Sequence, residues 1–387
     1  MRDFSDHRPG VLLVTRNFPP LLGGMEKLNR YLLHELAQQW QVALCGPRGC
    51  AAYAPESAQV CETAIKPLPR FFLGTALRAL HLAWRTRPEW VIAGSGLAAP
   101  MAWLAARISG AKLAVYLHGL DIVAPSRVYQ AAWLPFIRAC DLVLVNSRNT
   151  GQLAQGRGIG ANRLRILHPG TDVPELDASA ADAFRRKFGL AQRPILLSVG
   201  RLTPRKGLAE FAANALPAIL TSRPDTLLVV IGDEANDALH AGAGSERERI
   251  LASARAAEVD RSVVFLGRCD ESDLSAAYQA AQVHVFPVLE QPGDVEGFGM
   301  VALEAAAHGL PTVAFAVGGV PDAVDEPRSG QLVASGNYPS FADAVVQSLA
   351  IERTSDRVQA CREFASGKDW KEFGVRLRAL LRERIDA

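Results

Sequence analysis

None of the chain's six cysteines (Cys45, Cys50, Cys61, Cys140, Cys269 and Cys361) forms a CxxC pair or has a histidine at zinc-ligand spacing. A zinc module and a disulfide framework are both set aside on that ground, and a reducing cytosol is the compartment that fits. No apolar stretch approaches the ~18 residues of a membrane-spanning helix. The opening Met1 to Gly10 is polar and the apolar run after it is short, so no secretory signal is expected. Charge of one sign is also missing overall. The formal net charge is only +2, which gives no global signature for binding a polyanion. Low-complexity tracts are absent as well, and no repeat is visible beyond a similarity between the two halves.

What is present is size and apolar content. With 387 residues and 49% hydrophobic composition, the chain can supply two cores of ordinary size. Charge is unevenly divided: residues 1–172 hold 19 Lys and Arg against 10 Asp and Glu, net +9, leaving 23 against 30, net −7, for the remainder. The basic half is expected to face an anionic partner or surface. Short apolar runs at 11–14, 90–93, 114–117, 142–145 and 165–167 alternate with helical stretches such as 25–39 and 98–108. A second series, 195–199, 227–231, 263–266, 283–286 and 312–315, begins after a polar stretch at 171–193. This is the βαβ rhythm of parallel sheets, and it predicts two Rossmann-like domains, 1–172 and 173–367. Residues 368–387 follow; 368–385 carry Trp370, Phe373, Leu377, Leu380 and Leu381 at helical spacing, as a core-packing helix would.

In Rossmann-like domains, ligands bind outside the carboxyl ends of the strands, so the loops there carry the candidate site. The most distinctive is Glu296-Gly297-Phe298-Gly299-Met300, with Glu304 eight residues after Glu296. The glycines let backbone approach a ligand, and the run from Met300 to Ala307 reads as a buried helix whose N-terminus suits a phosphate. Glu296 is expected in the loop and Glu304 about two turns inside the helix, two acceptors able to hold two sets of hydroxyls. The alternative is a helix with ordinary acidic decoration. The second strong loop is Ser198-Val199-Gly200-Arg201-Leu202-Thr203-Pro204-Arg205-Lys206-Gly207, in which Arg201 and Lys206 can neutralise a diphosphate without a metal. Its alternative is a solvated basic loop.

Weaker signals follow other strands. Gly23 and Gly24 precede a helix and can offer amides to a phosphate, or form a plain connection. Gly94-Ser95-Gly96-Leu97-Ala98-Ala99 mimics a dinucleotide fingerprint but lacks the acidic residue about 20 positions on, so it reads as a structural loop. His118 can donate to an oxygen carrying developing charge, and Asp121 can orient it or bind an acceptor hydroxyl. Ser147 can offer a hydroxyl, or cap the next helix. Gly318 and Gly319 offer another backbone approach; Gly232 and Arg268, at further strand ends, join the candidate nucleotide contacts.

Taken together, the glutamate pair, the Gly-Arg-Leu-x-x-x-Lys-Gly loop, His118-Gly119, Gly23-Gly24 and His168-Pro169-Gly170-Thr171-Asp172 resemble the family-4 retaining glycosyltransferases of GT-B fold. The last motif departs mildly from the family's Pro-Asn-Gly-Val-Asp, keeping the turn glycine and Asp172. The resemblance implies an α/β GT-B architecture: two Rossmann-like parallel-sheet domains facing across a cleft, acceptor bound by the first, donor by the second, and the last helix crossing back to the first. It implies catalytic roles for His118, Arg201, Lys206 and Glu296. Donor contacts would come from Gly23, Gly24, Gly232, Arg268, Phe298, Gly299, Met300 and Glu304, and acceptor contacts from Asp121 and Ser147. No metal or cofactor is implied.

Gly293-Asp294-Val295-Glu296-Gly297-Phe298-Gly299 looks particularly like bacterial mannosyltransferases that use GDP-mannose and act on phosphatidylinositol lipids. The expected activity is metal-independent hexosyl transfer to a lipid-linked or glycan acceptor in envelope glycan or glycolipid synthesis. The expected location is the cytoplasm, with the basic amphipathic stretches 70–73 and 78–85 touching anionic lipid on the inner face of the membrane. A solvent-facing helix with a buried Leu/Trp stripe is the alternative for those stretches. The rival functions are a GT-B sugar-nucleotide epimerase or phosphorylase, and a non-catalytic two-lobed binding module; no nucleic-acid partner is expected.

Overall fold

Runs such as Val-Leu-Leu-Val and Leu-Val-Leu-Val bury apolar side chains on both faces, which only a sheet covered on both sides can accommodate. The computed structural model, which describes residues 10–234 and 245–385, places them that way; Leu12, Leu13, Val14, Leu142 and Leu144 are all fully buried. The chain forms two compact units, Met1–Gly170 with Trp370–Ala387, and Thr171–Asp369.

The first unit carries β1 (Gly10–Val14), β2 (Gln41–Pro47), β3 (Gln59–Thr63), β4 (Trp90–Ala93), β5 (Lys112–Leu117), β6 (Leu142–Val145) and β7 (Leu164–Ile166). They form one parallel sheet in the order β3-β2-β1-β4-β5-β6-β7. Strand order reverses between β1 and β4, and that switch point brings the loops after these two strands together. The helix Trp370–Ile385 packs in this unit against the helix Gly24–Ala37. Its Trp370 ring stacks on Tyr31 at 4.2 Å, Arg378 reaches Glu35 at 3.4 Å, and Phe373, Leu377 and Leu381 are buried.

The second unit carries β8 (Ile195–Val199), β9 (Leu227–Ile231), β10 (Val263–Gly267), β11 (Val283–Phe286), β12 (Thr312–Phe315) and β13 (Gly330–Val333). They too form a parallel sheet, in the order β10-β9-β8-β11-β12-β13. Here the switch point lies between β8 and β11, so the loops leaving those strands share one end of the sheet.

The expectation of two parallel-sheet α/β domains is met. Strands β2, β3 and β13 were not anticipated. Each lacks an uninterrupted branched apolar run: β2 ends in Gly46-Pro47, β3 reads Gln-Val-Cys-Glu-Thr at a sheet edge, and β13 is four residues opened by Gly330.

Candidate functional site

In the second unit, the loop after β8 is folded tightly onto the exit of β11. A short helical turn, Pro204–Lys206, ends at Gly207, whose φ of 68° lies in the left-handed region. A Cβ at Gly207 would overlap the Pro287 carbonyl oxygen. The Leu289 amide donates to the Arg205 carbonyl at 2.9 Å, so the two loops are joined backbone to backbone. This anchoring turns the side chains of Arg205 and Lys206 toward the segment Gln291 to Glu296.

There, Lys206 Nζ donates to Glu296 Oε2 at 2.8 Å, and Arg205 Nη1 donates to the same oxygen. Arg205 Nε lies 3.1 Å from Asp294 Oδ2. Side-chain exposures of 12% for Arg205, 16% for Lys206 and 13% for Glu296 leave little water to screen these pairs. Burial alone would raise the Glu296 carboxyl, but Lys206 and Arg205 outweigh it and hold the group at about 2. Burial pulls the Lys206 ammonium below its ordinary value, with Arg205 and Arg201 adding to this against the attraction of Glu296. The Lys206 ammonium also sits 4.7 Å from the centre of the Phe286 ring.

Glu296 leads directly into the helix Met300–Ala307 through Gly299, which has a φ of 95° and lies where a Cβ would come within 2.9 Å of the Phe286 ring. The helix begins where the sequence places it. Glu304 is its fifth residue, so it stands little more than one turn inside; the three residues from Gly297 to Gly299 are loop and do not count toward the expected two turns. The Tyr278 hydroxyl donates to Glu304 Oε2 at 3.3 Å. Phe298 is buried in the core, Met300 is half-buried, and the Gly319 amide donates to the Glu296 carbonyl at 2.8 Å. The second glycine pair therefore packs against the Glu296 loop.

Three expected site residues are placed less centrally. Arg201 is exposed in the loop after β8, near enough to Lys206 to influence it. The Gly232 amide donates to the Gly267 carbonyl at 2.8 Å, so it is already engaged by the protein. Arg268 is exposed after β10, an edge strand.

In the first unit, His118 and Asp121 follow β5. Asp121 accepts from the His118 amide at 2.9 Å and from the Gly96 amide at 3.1 Å. It therefore orients backbone, and the Gly94–Gly96 segment serves as a structural connection. His118 Nε2 is 2.9 Å from the Gly94 carbonyl, which only accepts, so that nitrogen carries the hydrogen. Ser147 is fully buried; its Oγ accepts from the Thr150 amide at 3.1 Å and caps the helix Arg148–Gly156. The reading of Ser147 as an acceptor contact gives way to its alternative. Gly23 and Gly24 open the helix Gly24–Ala37, where Glu26 bonds Asn17 at 2.8 Å and lies against Gly23.

Sequence reasoning passed over Arg205, Asp294 and Tyr278. Arg205 is adjacent to Lys206, and Asp294 is two residues before Glu296, a spacing that matches charges across two loops. Nothing in the chain announces Tyr278, which arrives from the helix Glu271–Ala280. The arrangement combines a buried cation, an ionised carboxylate and a helix N-terminus, which suits a ligand bearing both phosphate and hydroxyls. Among the described residues, no group of three or more His, Cys, Asp or Glu could hold a metal ion.

Comparison with known proteins agrees with this chemistry. The family described as Glycosyltransferase Family 4 matches residues 22–175, and Glycosyl transferases group 1 matches residues 181–365. A GDP-mannose-dependent alpha-(1-6)-phosphatidylinositol monomannoside mannosyltransferase of Mycolicibacterium smegmatis is 29% identical, with 97% of this chain and 99% of that protein covered. A GDP-mannose-dependent monoacylated alpha-(1-6)-phosphatidylinositol monomannoside mannosyltransferase of Corynebacterium glutamicum is 27% identical over 96% of this chain and 97% of its own. Among solved structures, Anabaena HepE in complex with UDP and glucose superposes with a TM-score of 0.78 at 18% identity, covering 97% of this chain and 100% of that one. Both units match glycosyltransferase families, the curated relatives span nearly the whole chain, and the fold is shared: the chain is a glycosyltransferase of GT-B fold, belonging to Glycosyltransferase Family 4 and the glycosyl transferases group 1.

Proposed function

We propose that the enzyme transfers mannose from GDP-mannose to a hydroxyl of a lipid-linked acceptor, with retention of anomeric configuration and without a metal, in bacterial envelope glycolipid synthesis. The carrying observation is Glu296, held ionised by Lys206 and Arg205 at the entrance to the helix that bears Glu304. Glu296 would hold sugar hydroxyls, Glu304 the ribose hydroxyls, and Lys206 with Arg201 the diphosphate. The bond between the sugar's anomeric carbon and the diphosphate oxygen breaks, and its electron pair goes to the phosphate. The cations and the helix N-terminus stabilise that charge. The acceptor oxygen bonds to the anomeric carbon on the same face, and its proton passes to the departing phosphate oxygen. The mannosyltransferase activities of the relatives favour this reading over an epimerase, a phosphorylase or a binding module.

A thermal-shift screen of GDP-mannose against UDP-, ADP- and dTDP-sugars tests the donor. A ligand at 100 times its Kd stabilises the folded state by about 2.7 kcal/mol, so the donor stands out. Glu296→Ala should keep the response to GDP and lose the increment due to mannose. A larger shift with another sugar nucleotide replaces mannose; equal loss for GDP and GDP-mannose contradicts the division of roles.

The reading extends to a peripheral location on the inner face of the cytoplasmic membrane. Supporting it, the helix Leu68–Thr86 exposes Leu73, Leu77 and Trp84 at 66%, 60% and 67%, among exposed Arg70, Arg78 and Arg85. Among the described residues no helix is long and apolar enough to cross a membrane. In flotation assays the protein should bind anionic vesicles weakly, and salt should release it. Equal flotation with anionic and neutral vesicles would rule this out.

A further inference from the structure

Glu296 receives two cations on one oxygen, yet the proposed reaction requires one of them elsewhere. When Lys206 turns to the diphosphate, its contact with Glu296 weakens. Arg205 is differently placed. Its guanidinium lies between Glu296 and Asp294, so its charge is matched by carboxylates of the protein whether or not phosphate is bound. The Arg205 backbone is tied to Leu289, and the Asp294 amide donates to the Gln291 carbonyl at 3.1 Å, shaping the turn that presents both carboxylates. A planar fork can span two carboxylates; an ammonium, a point charge, does so poorly.

We infer that Arg205, anchored by Asp294, is a positioning residue that holds the Glu296 carboxylate in place for the sugar while Lys206 serves the diphosphate. The inference rests on the sugar-binding role proposed for Glu296. The charged groups facing Glu296 are Lys206 and Arg205 from the loop after β8, with Asp294 beside Arg205 and Arg201 beside Lys206. With Lys206 engaged by phosphate, Arg205 is the remaining cation in contact with Glu296, so its loss makes the bound-state carboxylate easier to protonate.

The test uses Arg205→Gln, Arg205→Lys, Asp294→Asn and, as reference, Glu296→Gln. Calorimetry with GDP and with GDP-mannose is combined with the pH profile of kcat/KM. Arg205→Gln should retain wild-type GDP affinity and lose about tenfold in GDP-mannose affinity, the scale of one charge-assisted contact. Its acid limb should move to higher pH, which a merely structural role would not produce. Arg205→Lys should restore the acid limb in part, and Asp294→Asn should show the same changes at smaller size. Unchanged GDP-mannose binding and acid limb in Arg205→Gln would overturn the inference. So would an equal loss of GDP affinity, which would make Arg205 a phosphate ligand. Impaired Glu296→Gln beside an unaffected Arg205→Gln overturns the inference alone; a fully active Glu296→Gln removes the sugar role of Glu296, and the inference with it.

Discussion

Lys206→Ala is expected to lower turnover by about 10²–10³-fold, the usual consequence of removing one preorganised group that stabilises developing charge. The side chain is largely shielded from water, its ammonium lies over the Phe286 ring, and the backbone turn Pro204–Lys206 holds its base in place, so only the side chain moves when it turns from Glu296 to the diphosphate. Glu296 keeps Arg205 in the variant, so the loop should stay folded. The loss should fall mainly on kcat in single-turnover transfer, because charge on the diphosphate grows as the glycosidic bond breaks. A kcat within a few-fold of wild type, with KM alone raised, would reduce Lys206 to a ground-state binding contact.

Gly207→Val is expected to damage the enzyme through its backbone. A branched residue at a φ of 68° carries a strain of about 1–3 kcal/mol. Its Cβ would also overlap the Pro287 carbonyl, and overpacking of this kind costs about 1–3 kcal/mol more. The loops after β8 and β11 would have to separate, withdrawing Arg205 and Lys206 from Glu296. Urea unfolding should show a stability loss of several kcal/mol or, where the loop yields first, an enzyme of near-normal stability without measurable transfer. Normal stability together with normal activity would show that the junction is not what sets the site.

The fold was readable because strands covered on both faces need apolar side chains without interruption. Leu142–Val145 and Leu227–Ile231 therefore stand out, and β3, which tolerates Gln59 and Glu62 at a sheet edge, does not. The helix at Met300 was equally plain from Gly299 and the alanine-rich run after it. Individual side chains were harder to place. Ser147 at a strand end is compatible with a ligand contact or a helix cap, and only the position of the Thr150 amide decides it. The direction of the hydrogen on His118 depends on the Gly94 carbonyl, 24 residues earlier in the chain. Arg205 was overshadowed by Arg201 because the loop's charges look interchangeable in one dimension. The turn ending at Gly207 sends Arg205 and Lys206 to Glu296 and leaves Arg201 exposed.

Product stoichiometry together with stereochemistry distinguishes hexosyl transfer from a nucleotide sugar from every rival reaction. The purified enzyme is incubated with GDP-mannose and vesicles containing phosphatidylinositol monomannoside; released GDP and mannosylated lipid are quantified together, and the new linkage is assigned by NMR. The expected result is one GDP per mannose transferred, an α-linkage matching the donor, and loss of both products in Lys206→Ala. Release of GDP without glycosylated lipid, or a β-linked product, would overturn retaining hexosyl transfer.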